Sequence, residues 1–369
     1  MKIAYFVRQY TAPGGTERIL AEKANYLVRQ GHEVHIIVCI HEDQEPFFNF
    51  DKRIQIYKLG IDHKELKYRS EYLEKAQKIV DNIKPDISIS NGIDLSKYIY
   101  LLKDNSIKIL EEHFCKFKRK TKLAKCSENV LGRYLGYLYA TKKRRLVTKY
   151  DKYVVLTQED REQWFELNDK QIAVVENMIS IPVLNTQPDY SQKKILGVGR
   201  LTGQKGWDYL LESWGILSKK YPDWTIVICG EGSQRAKLEK RAKELGVSNS
   251  FVLKGVTSDI QNEMLDSSIY VLPSRYEGLP LVLLEAMSVG LPPVAFTCKC
   301  GPRDVIKDGQ DGFLVPRFNV ELFAEKLEAL IKDEDLRKKV GQEAQKSVQR
   351  FSPDKIMAKW GELFRDLVK

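Results

Sequence analysis

Residues Ser268 to Phe296 read Ser-Ile-Tyr-Val-Leu-Pro-Ser-Arg-Tyr-Glu-Gly-Leu-Pro-Leu-Val-Leu-Leu-Glu-Ala-Met-Ser-Val-Gly-Leu-Pro-Pro-Val-Ala-Phe. Ile269–Leu272 is a short apolar run of β-forming residues, and Pro273–Pro280 carries turn residues. Leu281–Val289 has helix-forming composition, Gly290 stops it, and Val294–Phe296 is a second apolar run. Strand, loop, helix and strand make one βαβ unit, which implies a parallel sheet. In open parallel sheets ligands sit outside the carboxyl ends of the strands. Glu277 falls in that loop, and Glu285 lies a turn or so into the helix behind it.

Taken alone, this spacing fits a capping glutamate followed by an ordinary surface glutamate. The setting argues for more. Glu285 is embedded in Leu-Val-Leu-Leu-Glu-Ala-Met, an otherwise apolar helix in which a carboxylate needs a partner or a ligand. Gly278 lets a backbone come close to a bound group, and the helix start offers free N–H donors suited to phosphate. A carboxylate at each end of a phosphate-binding turn could hold hydroxyl groups on either side of a diphosphate, the outline of a nucleotide-sugar.

The run from Glu277 through Gly278, Leu279, Pro280 and Leu281 to Glu285, and on to Pro292, resembles the signature of glycosyltransferase family 4. These are retaining enzymes of the two-domain GT-B fold. The resemblance covers most of the chain, is strongest from Ile195 to Pro316, and is closest to members that build bacterial surface polysaccharides. It implies an α/β protein with two Rossmann-like domains facing across a cleft. Residues 1–182 and a returning helix at 352–369 would form the acceptor domain, and residues 189–351 the nucleotide-sugar domain.

Composition is compatible with this. A chain of 369 residues can bury two cores, and 43% hydrophobic with 30% charged residues is ordinary for a globular protein. Six cysteines show no disulfide or zinc spacing. Lys2–Val7 is too short for a secretory signal, and no apolar run approaches a membrane span, so a reduced, cytoplasmic setting is expected. The net charge of +10 is concentrated between Lys116 and Lys149, where twelve basic residues face a single acid, Glu128. Asn129–Lys149 has helical spacing of Leu and Tyr. Such a basic, aromatic-bearing segment suits an anionic membrane surface on the inner face of the plasma membrane, or a solvated helix packed by one face. No nucleic-acid-binding pattern accompanies the charge, and nucleic acid is not expected as a partner.

Along the chain, Ile3–Val7, Val34–Ile40, Arg53–Leu59, Ile87–Ser90, Ile107–Glu111 and Tyr153–Thr157 read as strands, with helices over Thr16–Gln30 and Glu71–Ile83. The loop Gly14-Gly15-Thr16-Glu17 lacks the dinucleotide fingerprint. It matches the family's N-terminal glycine loop, which faces donor and acceptor; Gly15 is assigned to the donor, and Gly14, Thr16 and Glu17 to the acceptor. His113 follows the strand Ile107–Glu111, where the family places a histidine toward the donor sugar. Ile181–Pro188 reads as an interdomain linker, after which the βα rhythm restarts.

In the second half, Gly199-Arg200-Leu-Thr-Gly-Gln-Lys205-Gly206 follows the strand Lys194–Val198. Arginine supplies a planar fork and lysine a point charge, both suited to phosphate oxygens. In the family this pair clamps the donor pyrophosphate. Gly230 and Val256, at the ends of the next two strands, are weaker donor contacts by the same resemblance. Asp304 stands where family members more often carry glutamate. Asp333-Glu334-Asp335 spells a metal-binding tripeptide but sits before a helix, where acids are expected electrostatically; neither metal nor other cofactor is called for.

The resemblance implies sugar transfer from a nucleoside diphosphate, UDP above all, to a glycan or polyprenyl-linked acceptor. Arg200 and Lys205 would meet leaving-group charge, Glu277 would orient the donor sugar, Glu285 would bind the ribose, and His113 would contact the sugar. Three rivals stay open: a nucleotide-sugar epimerase of the same fold, a phosphorylase using pyridoxal phosphate, and a non-catalytic basic protein that binds membrane or nucleic acid.

Overall fold

Short apolar runs punctuated by glycine, proline and polar turns build two separate sheets, all of whose strand pairs are parallel. The computed structural model describes residues 1–40, 45–61, 68–92, 95–114, 141–164, 167–168, 170–181 and 186–368. They divide into two compact units, Met1–Ser180 with Pro353–Lys369, and Ile181–Ser352.

The first unit runs β1 (Lys2–Val7), α1 (Gly15–Arg29), β2 (Glu33–Val38), β3 (Gln55–Lys58), α2 (Tyr68–Ile83), β4 (Ile87–Asn91), α3 (Ser96–Ile99), β5 (Ile107–Glu111), β6 (Lys152–Val155), α4 (Gln158–Glu162) and β7 (Ile172–Val174). Its strands lie in the order β3-β2-β1-β4-β5-β6-β7. The chain builds outward from β1 on one side and then on the other, so the topological switch lies between the carboxyl ends of β1 and β4. Phe6, Ile37, Tyr72, Val80, Leu110, Tyr153 and Trp164 belong to the core on one face of this sheet.

The second unit runs β8 (Lys194–Val198), α5 (Trp207–Leu217), β9 (Thr225–Cys229), α6 (Arg235–Glu244), β10 (Phe251–Gly255), α7 (Ile260–Leu265), β11 (Ile269–Leu272), α8 (Leu281–Ser288), β12 (Pro293–Phe296), α9 (Pro302–Val305), β13 (Phe313–Val315), α10 (Val320–Lys332) and α11 (Glu334–Ser347). The strand order is β10-β9-β8-β11-β12-β13, and the switch lies between β8 and β11. Trp207, Trp214, Ile228, Val271, Phe296 and Phe323 fill one core cluster.

The last helix, α12 (Pro353–Val368), belongs to the first unit. Its apolar face, Ile356, Met357, Trp360 and Phe364, is buried. Lys359 pairs with Glu176 at 2.6 Å, and Tyr26 donates to Asp354 at 2.9 Å.

The stretch from Ser268 to Phe296 folds as read, into β11, α8 and β12. The structure adds β7, α3, α4 and α9, all too short for periodicity to reveal. Of the basic segment, residues 116–140 lie outside the described residues; 141–147 are helical. Lys142, Arg144, Arg145 and Lys149 are exposed, and Lys143 is the buried exception. It is 7% exposed, pairs with Glu112 at 2.9 Å and lies 5.3 Å from the Trp164 ring centroid, so burial and pairing hold it inside. Of the linker, residues 182–185 are likewise outside the description, and Ile181 is buried. Cys39, Cys229, Cys298 and Cys300 are buried, while Cys115 and Cys126 are outside the described residues.

Candidate active site

In the second unit β8 lies between β9 and β11, which brings their carboxyl ends side by side. Gly199 N–H bonds Cys229 O at 2.9 Å, and Gly230 N–H bonds Gly255 O at 2.8 Å. A Cβ on Gly230 would stand 2.2 Å from Gly199 O, so the loop after β8 can pass this closely only over glycine. The Gly199–Gly206 loop then returns to cap α5. Gly206 is its N-cap at φ 70°, and a Cβ there would come within 2.0 Å of Pro273 O at the end of β11.

The two strand-end loops are tied together. Arg275 N–H donates to Gln204 O at 2.8 Å, and Gln204 Nε2 donates to Tyr276 O at 3.1 Å. The Arg275 guanidinium grips Asp208 at 2.8 and 2.5 Å, donates to Gly203 O at 2.7 Å and lies 4.3 Å from the Tyr209 ring centroid. Burial opposes ionisation of Asp208, but the Arg275 fork outweighs it and holds the carboxyl below its usual range. Sequence reading missed Arg275, Gln204 and Asp208, although Arg275 stands within the signature stretch itself.

This frame presents the expected residues. Lys205 Nζ lies 2.9 Å from Glu277 Oε1, the side chains being 14% and 7% exposed. Arg200, whose carbonyl accepts from Trp207 Nε1 at 3.1 Å, is exposed at the end of β8. Gly278, Leu279 and Pro280 are buried, and Leu281 opens α8 behind them, with Pro280 as N-cap. The first bond within that turn runs from Leu283 N–H to Pro280 O at 3.0 Å, leaving the amides of Leu281 and Val282 ahead of the ladder. Glu285 is 3% exposed on α8. Glu277 and Glu285 both act on Tyr270 of β11; burial first, and then these two carboxylates, push its phenol far above its ordinary value. Gly230 follows β9 on the same edge, and Val256, just past β10, is 79% exposed. Asp333 is the N-cap of α11, accepting from Leu336 N–H at 2.9 Å, which is the structural role expected of it.

In the first unit a cavity of about 240 Å³ lies at the switch point. Arg8 and Gln9 line it from the end of β1, Asn91 and Gly92 from β4, and His113 and Phe114 from β5; Thr16 and Glu17 close it from α1. Gly14 is the N-cap of α1 and Gly15 its first residue. The Glu17 carboxylate folds back so that a Cβ on Gly14 would meet Oε2 at 2.2 Å. His113 is 8% exposed, and its Nε2 hydrogen-bonds Asn91 Oδ1. Thus Thr16, Glu17 and His113 line one cavity, while Arg8 and Asn91 carried no sequence signal that singled them out.

Residues 13–181 match the family model described as glycosyltransferase family 4, and residues 185–347 that of glycosyl transferases group 1. Over 363 residues the chain is 32% identical to a Haemophilus influenzae protein named as an uncharacterized glycosyltransferase, covering 97% of this chain and 98% of that one. It is 29% identical to the amylovoran biosynthesis glycosyltransferase AmsD of Erwinia amylovora, covering 98% and 99% of the two chains. Among solved structures, a mutant of S. aureus TarM, crystallised with fondaparinux, α-GlcNAc-glycerol and UDP, has the same fold at a TM-score of 0.80. It is 17% identical, over 98% of this chain and 99% of that one. The chain therefore belongs to glycosyltransferase family 4, and its two parallel-sheet units have the GT-B architecture.

Proposed function

We propose that this glycosyltransferase moves a hexose or N-acetylhexosamine from a UDP-sugar to a hydroxyl of a glycan or lipid-linked glycan in polysaccharide biosynthesis, with retention at the anomeric carbon. The observation that carries this reading is the Lys205–Glu277 pair, 2.9 Å apart between the loops that follow β8 and β11, with Arg200 exposed at the end of β8 and Glu285 buried in α8 behind them. A diphosphate needs cations and amide donors, and a sugar with its ribose needs carboxylate acceptors on either side. The likeness to AmsD, named for amylovoran biosynthesis, and to a TarM structure holding UDP supports the same class.

In this scheme Arg200, Lys205 and the amides of Leu281 and Val282 take the charge that builds on the departing diphosphate. Lys205 is already paired with Glu277, so a phosphate oxygen at Nζ draws the ammonium between two anions and fixes Glu277 toward the sugar hydroxyls. Glu285 takes the ribose hydroxyls. The departing phosphate receives the acceptor proton on the face from which the acceptor attacks, and no step is routed through a metal. Thr16, Glu17 and His113 bind sugar hydroxyls in the first unit's cavity, beside Gly14 at the start of α1. Residence in the cytoplasm, on the inner face of the membrane, belongs to this reading; among the described residues no helix is long and apolar enough to cross a membrane.

A panel of UDP- and GDP-sugars, scored for nucleotide release with and without lipid-linked acceptor, tests the proposal. Acceptor-dependent release from a UDP-sugar is expected, with an α-linked product from an α-linked donor. Release of free epimer without acceptor would assign an epimerase instead. Glu277→Ala should lower turnover by about 100-fold or more while leaving UDP affinity largely intact, whereas Glu285→Ala should weaken UDP binding. Normal turnover in Glu277→Ala contradicts the assignment.

A further inference from the structure

The buried face of α1 is formed by Ile19, Leu20, Ala24, Leu27 and Val28, and Lys23 lies on that same face, 3% exposed. Helical periodicity asks for an apolar residue there, and a buried ammonium persists only with a partner. The partner is Glu111, the last residue of β5: Nζ lies 2.6 Å from Oε2, and the carboxylate side chain is 2% exposed. The Trp360 ring of α12 covers the ammonium with its centroid at 3.7 Å, and the Tyr5 ring lies at 5.6 Å. The other Glu111 oxygen, Oε1, lies 3.9 Å from His113 Nε2. His113 hydrogen-bonds Asn91, which faces Glu111 across the β4–β5 register. One row of contacts thus runs from the last helix through Lys23 and Glu111 to the wall of the cavity.

Glu111 has two basic neighbours and one negative charge. Lys23, at 2.6 Å, is the closer of the two, and His113 stands off at 3.9 Å. Burial first drives the His113 imidazole below its ordinary range; Glu111 pulls it back up, Lys23 pushes it further down, and Glu112 pulls it up. Glu112 is itself neutralised by Lys143 at 2.9 Å. Arg8 and Glu17 are the other charged residues lining the cavity, and they carry opposite signs. Burial also opposes the Glu111 charge, yet the Lys23 ammonium beside it holds that carboxyl below its usual range, so the anion is kept.

We propose that Lys23 is a positioning residue that occupies Glu111 and thereby keeps His113 a neutral imidazole, its Nε2–H given to Asn91. A neutral ring keeps one nitrogen as an acceptor, whereas an imidazolium can only donate. A histidine that reads a sugar hydroxyl needs the acceptor. The sugar in this argument rests on the proposed function; the charge arrangement itself does not.

The test is a pH titration of the histidine ring resonances of the full-length protein, with His113 assigned by the signal missing in His113→Gln. Lys23→Met leaves Glu111 facing His113 alone, and the midpoint should rise by about one pH unit or more. Glu111→Gln removes the carboxylate, and the midpoint should fall below that of the unmodified protein. Lys23→Arg keeps the charge and should keep the midpoint. The acid limb of kcat/KM should move with the midpoint in Lys23→Met. An unchanged midpoint in Lys23→Met overturns the proposal; where that variant does not fold, an unchanged midpoint in Glu111→Gln does so. Midpoints that move as stated in a protein without sugar transfer would overturn the proposed function and leave this inference standing.

Discussion

Gly206 is the residue on which the strand-end loops depend most directly. At φ 70° its backbone is in the left-handed region, and a side chain would come within 2.0 Å of the Pro273 carbonyl. Gly206→Ala should therefore lower stability by about 2–4 kcal/mol in urea unfolding, from strain and displaced backbone together. A change within error would mean that the loop relaxes freely. At this scale the sequence was legible where chemistry and spacing coincide: Glu277, Glu285, Arg200 and Lys205 stand out in apolar or glycine-rich surroundings. It was not legible where a partner is remote. Lys205 and Glu277 are 72 positions apart, and Lys23 and Glu111 are 88 apart. A lysine in a helix reads as a solvated one until the sheet places a carboxylate opposite it. Arg275 was hidden for the same reason, since its fork closes on Asp208 across the chain.

Among the elements, α12 ties the end of the chain to the first unit through Trp360, which is 1% exposed and stacked on the Lys23 ammonium. Trp360→Ala removes both the buried ring and the cover over the cation, and should cost about 3–5 kcal/mol in chemical denaturation of the full chain. A loss below about 1 kcal/mol would contradict the docking described for this helix. Long amphipathic helices and apolar strands were read to within a few residues, because burial imposes their periods of 3.6 and 2. The returning helix was expected from residue 352, and α12 starts one residue later, at Pro353. The strand β7 has three residues, Ile-Ala-Val, and such a run carries no period to detect. The polar α11 was only glimpsed, because its buried side is made of Arg337, Val340, Gly341 and Ala344.

For the whole molecule, the common theme is that each unit gathers polar residues at the point where its strand order reverses. In the first unit this gives the cavity with Thr16, Glu17 and His113; in the second it gives the loops after β8 and β11. The βαβ rhythm made the parallel sheets foreseeable, because parallel strands require crossovers. Strand order and the frame of Arg275, Asp208 and Gln204 become visible only once the strands are assembled into the sheet. The central claim is that Arg200 and Lys205 receive a nucleoside diphosphate on the second unit. Calorimetric titration of UDP into the full-length protein and into Arg200→Ala and Lys205→Ala tests it most directly. The account predicts saturable binding that each substitution weakens by about tenfold or more, the usual weight of a charged hydrogen bond. Absence of binding to the unmodified protein, or unchanged affinity in both variants, would contradict it.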